Sequence, residues 1–184
     1  MPRRFLLWGV CVPALLLLGV AVAQQGGRLY LEHADHFEIV FDTDPETHYV
    51  SGNVIFQTGT GTIFCASAVW RKGQDVILRG NVVIKEEDFH LRADSVSYNL
   101  EKRDAVALGS YVELWSLTDS LFATGQHAYI DRDDEFYRME ERPTMLLNYP
   151  DTANMIEVIA DRIDYDTRTA TAQASGDVSI NSQD

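Results

Sequence analysis

Apolar and polar residues alternate with a period of two over most of the chain after Gln24, and no stretch there keeps a 3.6-residue apolar period for three turns. Val76, Leu78, Gly80, Val82 and Ile84 alternate with Ile77, Arg79, Asn81, Val83 and Lys85. Ala170, Ala172, Ala174, Gly176, Val178 and Ile180 alternate with Thr171, Gln173, Ser175, Asp177 and Ser179, and Val50, Gly52, Val54 and Phe56 do so around Asn53. Such alternation predicts strands with one dry face and one wet face. About ten to fifteen strands, no substantial helix and one domain are expected.

The strands also resemble one another. Gly52-Asn53-Val54-Ile55-Phe56, Gly80-Asn81-Val82-Val83-Ile84 and Gly176-Asp177-Val178-Ser179-Ile180 share one form, and Gly109-Ser110-Tyr111-Val112-Glu113-Leu114 repeats it with one extra residue, as a β-bulge would. Upstream, Ala93-Asp94-Ser95-Val96-Ser97-Tyr98-Asn99 lines up with Ala160-Asp161-Arg162-Ile163-Asp164-Tyr165-Asp166. Weaker copies start at Ala34-Asp35, Ala66-Ser67 and Gly125-Gln126. Five starts at 34, 66, 93, 125 and 160 mark stacked supersecondary units, none able to bury its apolar face alone. In the fourth unit the glycine's place falls near Glu141, and Arg142-Pro143 breaks the pattern. Polar connections such as Asp131-Arg132-Asp133-Asp134-Glu135 and Asp166-Thr167-Arg168-Thr169 separate the strands of a unit. The fold class predicted is all-β: a stacked antiparallel β-jelly-roll, or solenoid-like sandwich, of about five two-strand repeats.

The repeated columns have physical reasons. A strand crossing to the opposite wall of a narrow sandwich must bend, and glycines 52, 80, 109 and 176 supply that freedom. Small residues at Ala34, Ala66, Ala93 and Ala160 keep the interior from overfilling. The large apolar positions beyond each bend make a core, or, in a half-open shell, a surface for a ligand.

The chain begins differently. Arg3 and Arg4 precede an uncharged run from Phe5 to Ala23 that ends Ala21-Val22-Ala23, which reads as a signal peptide over residues 1–23, leaving a domain of residues 24–184. A run of 19 residues also spans a bilayer, so a retained N-terminal anchor is the alternative. In either case the folded part works outside the cytoplasmic membrane. Of the 184 residues, 15 are Lys or Arg and 28 Asp or Glu, a net charge of −13; without the leader it is −15. That acidity excludes nucleic acid as a partner.

No constellation of catalytic residues emerges. His33 and His36 in an extended strand point to opposite faces and do not share an ion. Asp131 to Glu135 lacks the glycine and ligand spacing of a calcium loop. Asp94 and Asp161, recurring at equivalent places, read as a turn device rather than an acid/base pair. Cys65 sits in an apolar run with no neighbouring His, and no phosphate loop or nucleophile elbow is present. Neither enzymatic activity nor a metal or cofactor is expected.

The leader, the short domain and the paired Ala-Asp-x-x-x-Tyr-Asp and Gly-Asn/Asp-Val-x-Ile elements resemble the OstA-like family of lipopolysaccharide export proteins, most of all its soluble periplasmic bridge member. The resemblance implies an open-ended β-jelly-roll in the periplasm whose apolar groove holds the acyl chains of lipopolysaccharide. Candidate lining residues are Val54, Phe56, Val76, Leu78, Val82, Ile84, Leu91, Val112, Leu114, Leu147, Val178 and Ile180. It also implies, as partners, neighbouring OstA-like domains of inner- and outer-membrane export proteins, and a head-to-tail homo-oligomer through edge strands near Phe37–Phe41 and Gly176–Ile180. The alternatives are a membrane-anchored relative that passes lipopolysaccharide to the bridge, and a structural β-solenoid without ligand.

Overall fold

The alternation predicted from the sequence emerges as fourteen antiparallel strands in a computed structural model that describes residues 29–182 except 44, 72–74, 100–101 and 103. The signal peptide expected over residues 1–23 lies outside the described residues. In chain order the strands are β1 (Tyr30–His33), β2 (His36–Val40), β3 (Thr47–Gln57), β4 (Gly61–Arg71), β5 (Val76–Glu86), β6 (Phe89–Asn99) and β7 (Asp104–Ser116). There follow β8 (Leu121–Asp131), β9 (Phe136–Glu140), β10 (Thr144–Leu147), β11 (Ile156–Ile159), β12 (Arg162–Asp166), β13 (Thr171–Ser175) and β14 (Ser179–Ser182). Among the described residues there is no helix.

The six long strands β3 to β8 each run through two walls. Wall A stacks β2, the first half of β3, and the matching halves of β4 to β8, then β9, β12 and β13. Wall B stacks β1, the remaining halves of β3 to β8, then β10, β11 and β14. Between the walls runs a seam where every long strand bends and the register shifts. At the other margin the described connections, among them residues 58–60, 87–88 and 117–120 beside wall B and 132–135 beside wall A, form two lips.

The seam explains the repeated motifs. Gly52 and Asn53 have φ of 77° and 47°, Gly80 and Asn81 of 77° and 48°, Gly176 and Asp177 of 70° and 30°. Two successive left-handed residues turn the strand, and Gly followed by Asn or Asp is the pair that adopts them at least cost. The recurring aspartate secures the turn. Asp94 Oδ2 accepts the Ser110 N–H at 2.7 Å, Asp35 Oδ2 accepts from Asn53 Nδ2 at 2.9 Å, and the Asp35 and Asp161 amides donate to the Gly52 and Gly176 carbonyls. Gly109 begins the variant with the extra residue: five steps separate Leu108 from Glu113 on β7, opposite three from Ser95 to Arg92 on β6. In the fourth unit Glu141 and Arg142, with φ of 65° and 55°, occupy the glycine's place.

One alignment needs correcting. The second unit was expected to start at Ala66-Ser67, but Ala66 stands against Gly80 as Asp35, Asp94 and Asp161 stand against their glycines. Cys65 therefore holds the alanine position and is buried, while Ala66 is exposed and does not line the interior. The second seam thus lacks its carboxylate. A cleft of about 390 Å³ opens there between Gly52, Asn53, Ile55, Phe64, Ala66 and Asn81. The edge strand expected over Gly176–Ile180 is also shifted: Gly176 and Asp177 form the bend, and β14 starts at Ser179.

Candidate functional site

The inner faces of the two walls form one trough, built by the period-two pattern itself. Val50, Ala68, Leu78, Val96, Ala107, Ala128, Met139 and Ile163 carry wall A; Phe56, Ile63, Ile84, Leu91, Leu114, Ala123, Met145 and Val158 carry wall B in consecutive register. Of the expected lining residues, Val54, Phe56, Val76, Leu78, Val82, Leu91, Val112 and Leu114 are each at most 2% exposed and belong to one cluster. Ile84 and Leu147 are half-buried against that cluster. Val178 and Ile180 are set apart at the C-terminal end, 47% and 63% exposed. The trough is closed by its own side chains: Phe56 of wall B meets Trp70 of wall A edge-on at 5.8 Å, and Phe89 meets Tyr137 at 5.9 Å.

The two ends contrast with this dry middle. Among the described residues β1 and β2 pair only with β3, β13 only with β12, and β14 only with β11, so each end presents two strands open on one side. Tyr30, Leu31, Phe37 and Phe41 are exposed at the first end, Val178 and Ile180 at the last. Open strands with apolar inner positions are surfaces on which another sheet can continue.

The mouth between the lips carries a charged tie that sequence reasoning missed. Glu86 continues the inward parity of Val82 and Ile84 to the edge of wall B, and its side chain is only 16% exposed. Arg132, from the β8–β9 connection on the opposite lip, reaches its Oε2 at 2.5 Å and lies 4.9 Å over the Phe89 ring. Burial pushes the nearby Tyr137 hydroxyl up, with Arg132 opposing it. Both ends of the pair are part-buried, so solvent screens it less than a fully exposed bridge. Glu86→Gln and Arg132→Gln are each expected to cost about 1 kcal/mol, with a coupling of the same order in a double-mutant cycle followed by urea unfolding. The signal available in the sequence was an acid at an inward position, Glu86, four residues past Val82.

Burial pushes the Cys65 thiol up to about 11, which leaves it protonated and unreactive at neutral pH. His33 pairs with Asp35 at 3.4 Å, and among the described residues no three His, Cys, Asp or Glu side chains gather as metal ligands. Asp164, on the outer face of wall A, is pushed up by burial but held below the usual carboxylate range by Arg162 and Arg138, so it is a structural ion pair.

Comparison with known proteins agrees with this construction. The structure of LptH from Pseudomonas aeruginosa, described as the LptA-homologous periplasmic component of the conserved lipopolysaccharide transport device, superposes with a TM-score of 0.54 at 10% identity, covering 83% of this chain and 93% of that one. At that identity the likeness is one of fold. No curated protein sequence matches the chain. Residues 65–184 match the family described as LptA/(LptD N-terminal domain) LPS transport protein. With about two thirds of its length inside that match and the same two-walled β-jelly-roll, the chain belongs to the OstA-like, LptA-like family of lipopolysaccharide transport proteins.

Proposed function

We propose that the chain carries lipopolysaccharide through the periplasm by holding its acyl chains in the trough, as one segment of a bridge towards the outer membrane. The observation that supports this best is the continuous apolar lining of both walls, which ends at open strands on either side. Residues 1–23 are a signal peptide in this reading, and the partners are other OstA-like domains, or further copies of this chain, stacked on β1 and β2 or on β13 and β14.

Magnitudes favour admission of lipid through the mouth. Burying a chain of about a dozen carbons yields roughly 8–10 kcal/mol before costs. The Arg132–Glu86 tie opposes opening by about one tenth of that. The larger cost is parting Phe56 from Trp70 and Phe89 from Tyr137, contacts that the lipid replaces with its own. The −15 net charge of the domain is no obstacle, because the contact is apolar and internal.

A photo-crosslinking residue at Val82 or Leu114 is expected to capture lipopolysaccharide in cells, whereas one at Tyr49, on the outer face of wall A, is not. Absence of any glycolipid adduct at both inner positions, with the protein folded and exported, would overturn the reading in favour of a structural β-solenoid.

A further inference from the structure

Among the described residues one buried side-chain polar atom has no hydrogen-bond partner: Nδ1 of His48. The side chain is 8% exposed and lies on the inner face of β3, in the first rungs of the trough. Its Nε2 is 3.2 Å from Glu46 Oε1. An ionised carboxylate only accepts, so Nε2 carries a proton, and in the neutral ring Nδ1 then keeps a lone pair. The imidazole is stacked on Trp70 at 5.0 Å and 13°, with the Phe37 ring 6.1 Å away, and Trp70 meets Phe56 edge-on. Phe37 sits on the edge strand β2 and is 47% exposed.

This is an aromatic box at the open N-terminal end of the trough, holding one acceptor without a donor. Packing alone does not account for it. A phenylalanine would stack on Trp70 equally well without burying an unsatisfied nitrogen, which is a costly arrangement. Glu46 fixes the tautomer that makes this nitrogen an acceptor. We propose that the box binds an amphiphile bearing an O–H donor on its alkyl or acyl chain, with Nδ1 of His48 accepting that proton in a hydrogen bond and Phe37, Trp70 and Phe56 enclosing the adjoining methylenes. The inference rests on the reading of the trough as a lipid site and adds to it a selection for hydroxylated chains at the first rungs.

The test uses two uncharged isomers, 1-decanol and 1-methoxynonane, which differ in having or lacking a donor. The alcohol costs more to desolvate, so without a partner it binds the more weakly of the two. The protein is expected to bind 1-decanol about tenfold more tightly than the ether, and His48→Phe to lose that preference while still binding the ether. In ¹⁵N spectra of the parent protein, 1-decanol should shift the His48 Nδ1 resonance and leave Nε2 in place, and the ether should shift neither. Equal affinities, a preference that survives in His48→Phe, failure of both isomers to bind, or an ordered water at Nδ1 that neither displaces would each overturn the proposal. If His48→Phe does not fold, the parent's nitrogen titration decides alone. Lipopolysaccharide capture at Leu114 without any preference for the alcohol discards the box and keeps the transport reading. The preference without capture does the reverse.

Discussion

Phe56→Ala is expected to lower the unfolding free energy by about 3–5 kcal/mol, measured by urea denaturation. The ring is 1% exposed, lies in register between Leu31 and Ile63, and crosses from wall B to the edge of Trp70 on wall A. Truncation removes buried surface and leaves a cavity that two hydrogen-bonded walls cannot collapse to fill. Phe56→Leu keeps most of the volume and should cost less than about 1.5 kcal/mol. A loss below about 1 kcal/mol for the alanine variant would mean that the walls do not close on one another in solution.

The second large effect belongs to the seam. Gly80→Val is expected to cost about 3 kcal/mol, or about 6–12 °C in Tm. At φ +77° a β-branched side chain is strained whatever its surroundings, and the new Cβ would stand 2.7 Å from the Ala66 Cβ. Ala66→Gly should relieve the collision but not the strain, so the double variant recovers only part of the loss. Gly59→Ala is the control. It has open space around it and no left-handed backbone, and should stay within about 0.5 kcal/mol of the parent. A Gly80 variant as mild as the Gly59 one would disprove the bend.

Much of this construction was visible in the residues because each repeat states the same local problem. Alternation named the inner faces, and Gly-Asn with its distant Ala-Asp named the bends. The structure shows that glycine and aspartate face each other across adjacent strands, which explains why the two columns recur together. The one-residue error at Ala66 has an equally local origin. Cys65-Ala66 and Ala66-Ser67 both offer a small residue beside an apolar run, and only the register with β5 chooses between the two frames.

What remained hidden lies between units. Glu86 ends β5 and Arg132 sits in a charged connection that reads as a solvated turn, and His48 and Trp70 belong to neighbouring strands. Periodicity states which side a residue faces, not which residue of the opposite wall it meets. For the same reason Val82 or Leu114 could be recognised as inward-facing, but core and lipid contact make identical demands on those positions. Their enclosure shows these side chains packed against one another in a single cluster.

The ten rungs that the described residues place in each wall also set a length. Strands stack about 4.8 Å apart, so nine intervals make a trough of about 43 Å measured along its axis. If copies continue one another rung to rung, each added chain contributes ten spacings, about 48 Å, so the distance they cover grows in steps of that size and never by fractions. An envelope gap of any given width then selects an integer number of chains, and gaining or losing one two-strand unit would retune the reach by about 10 Å without altering the cross-section a lipid meets.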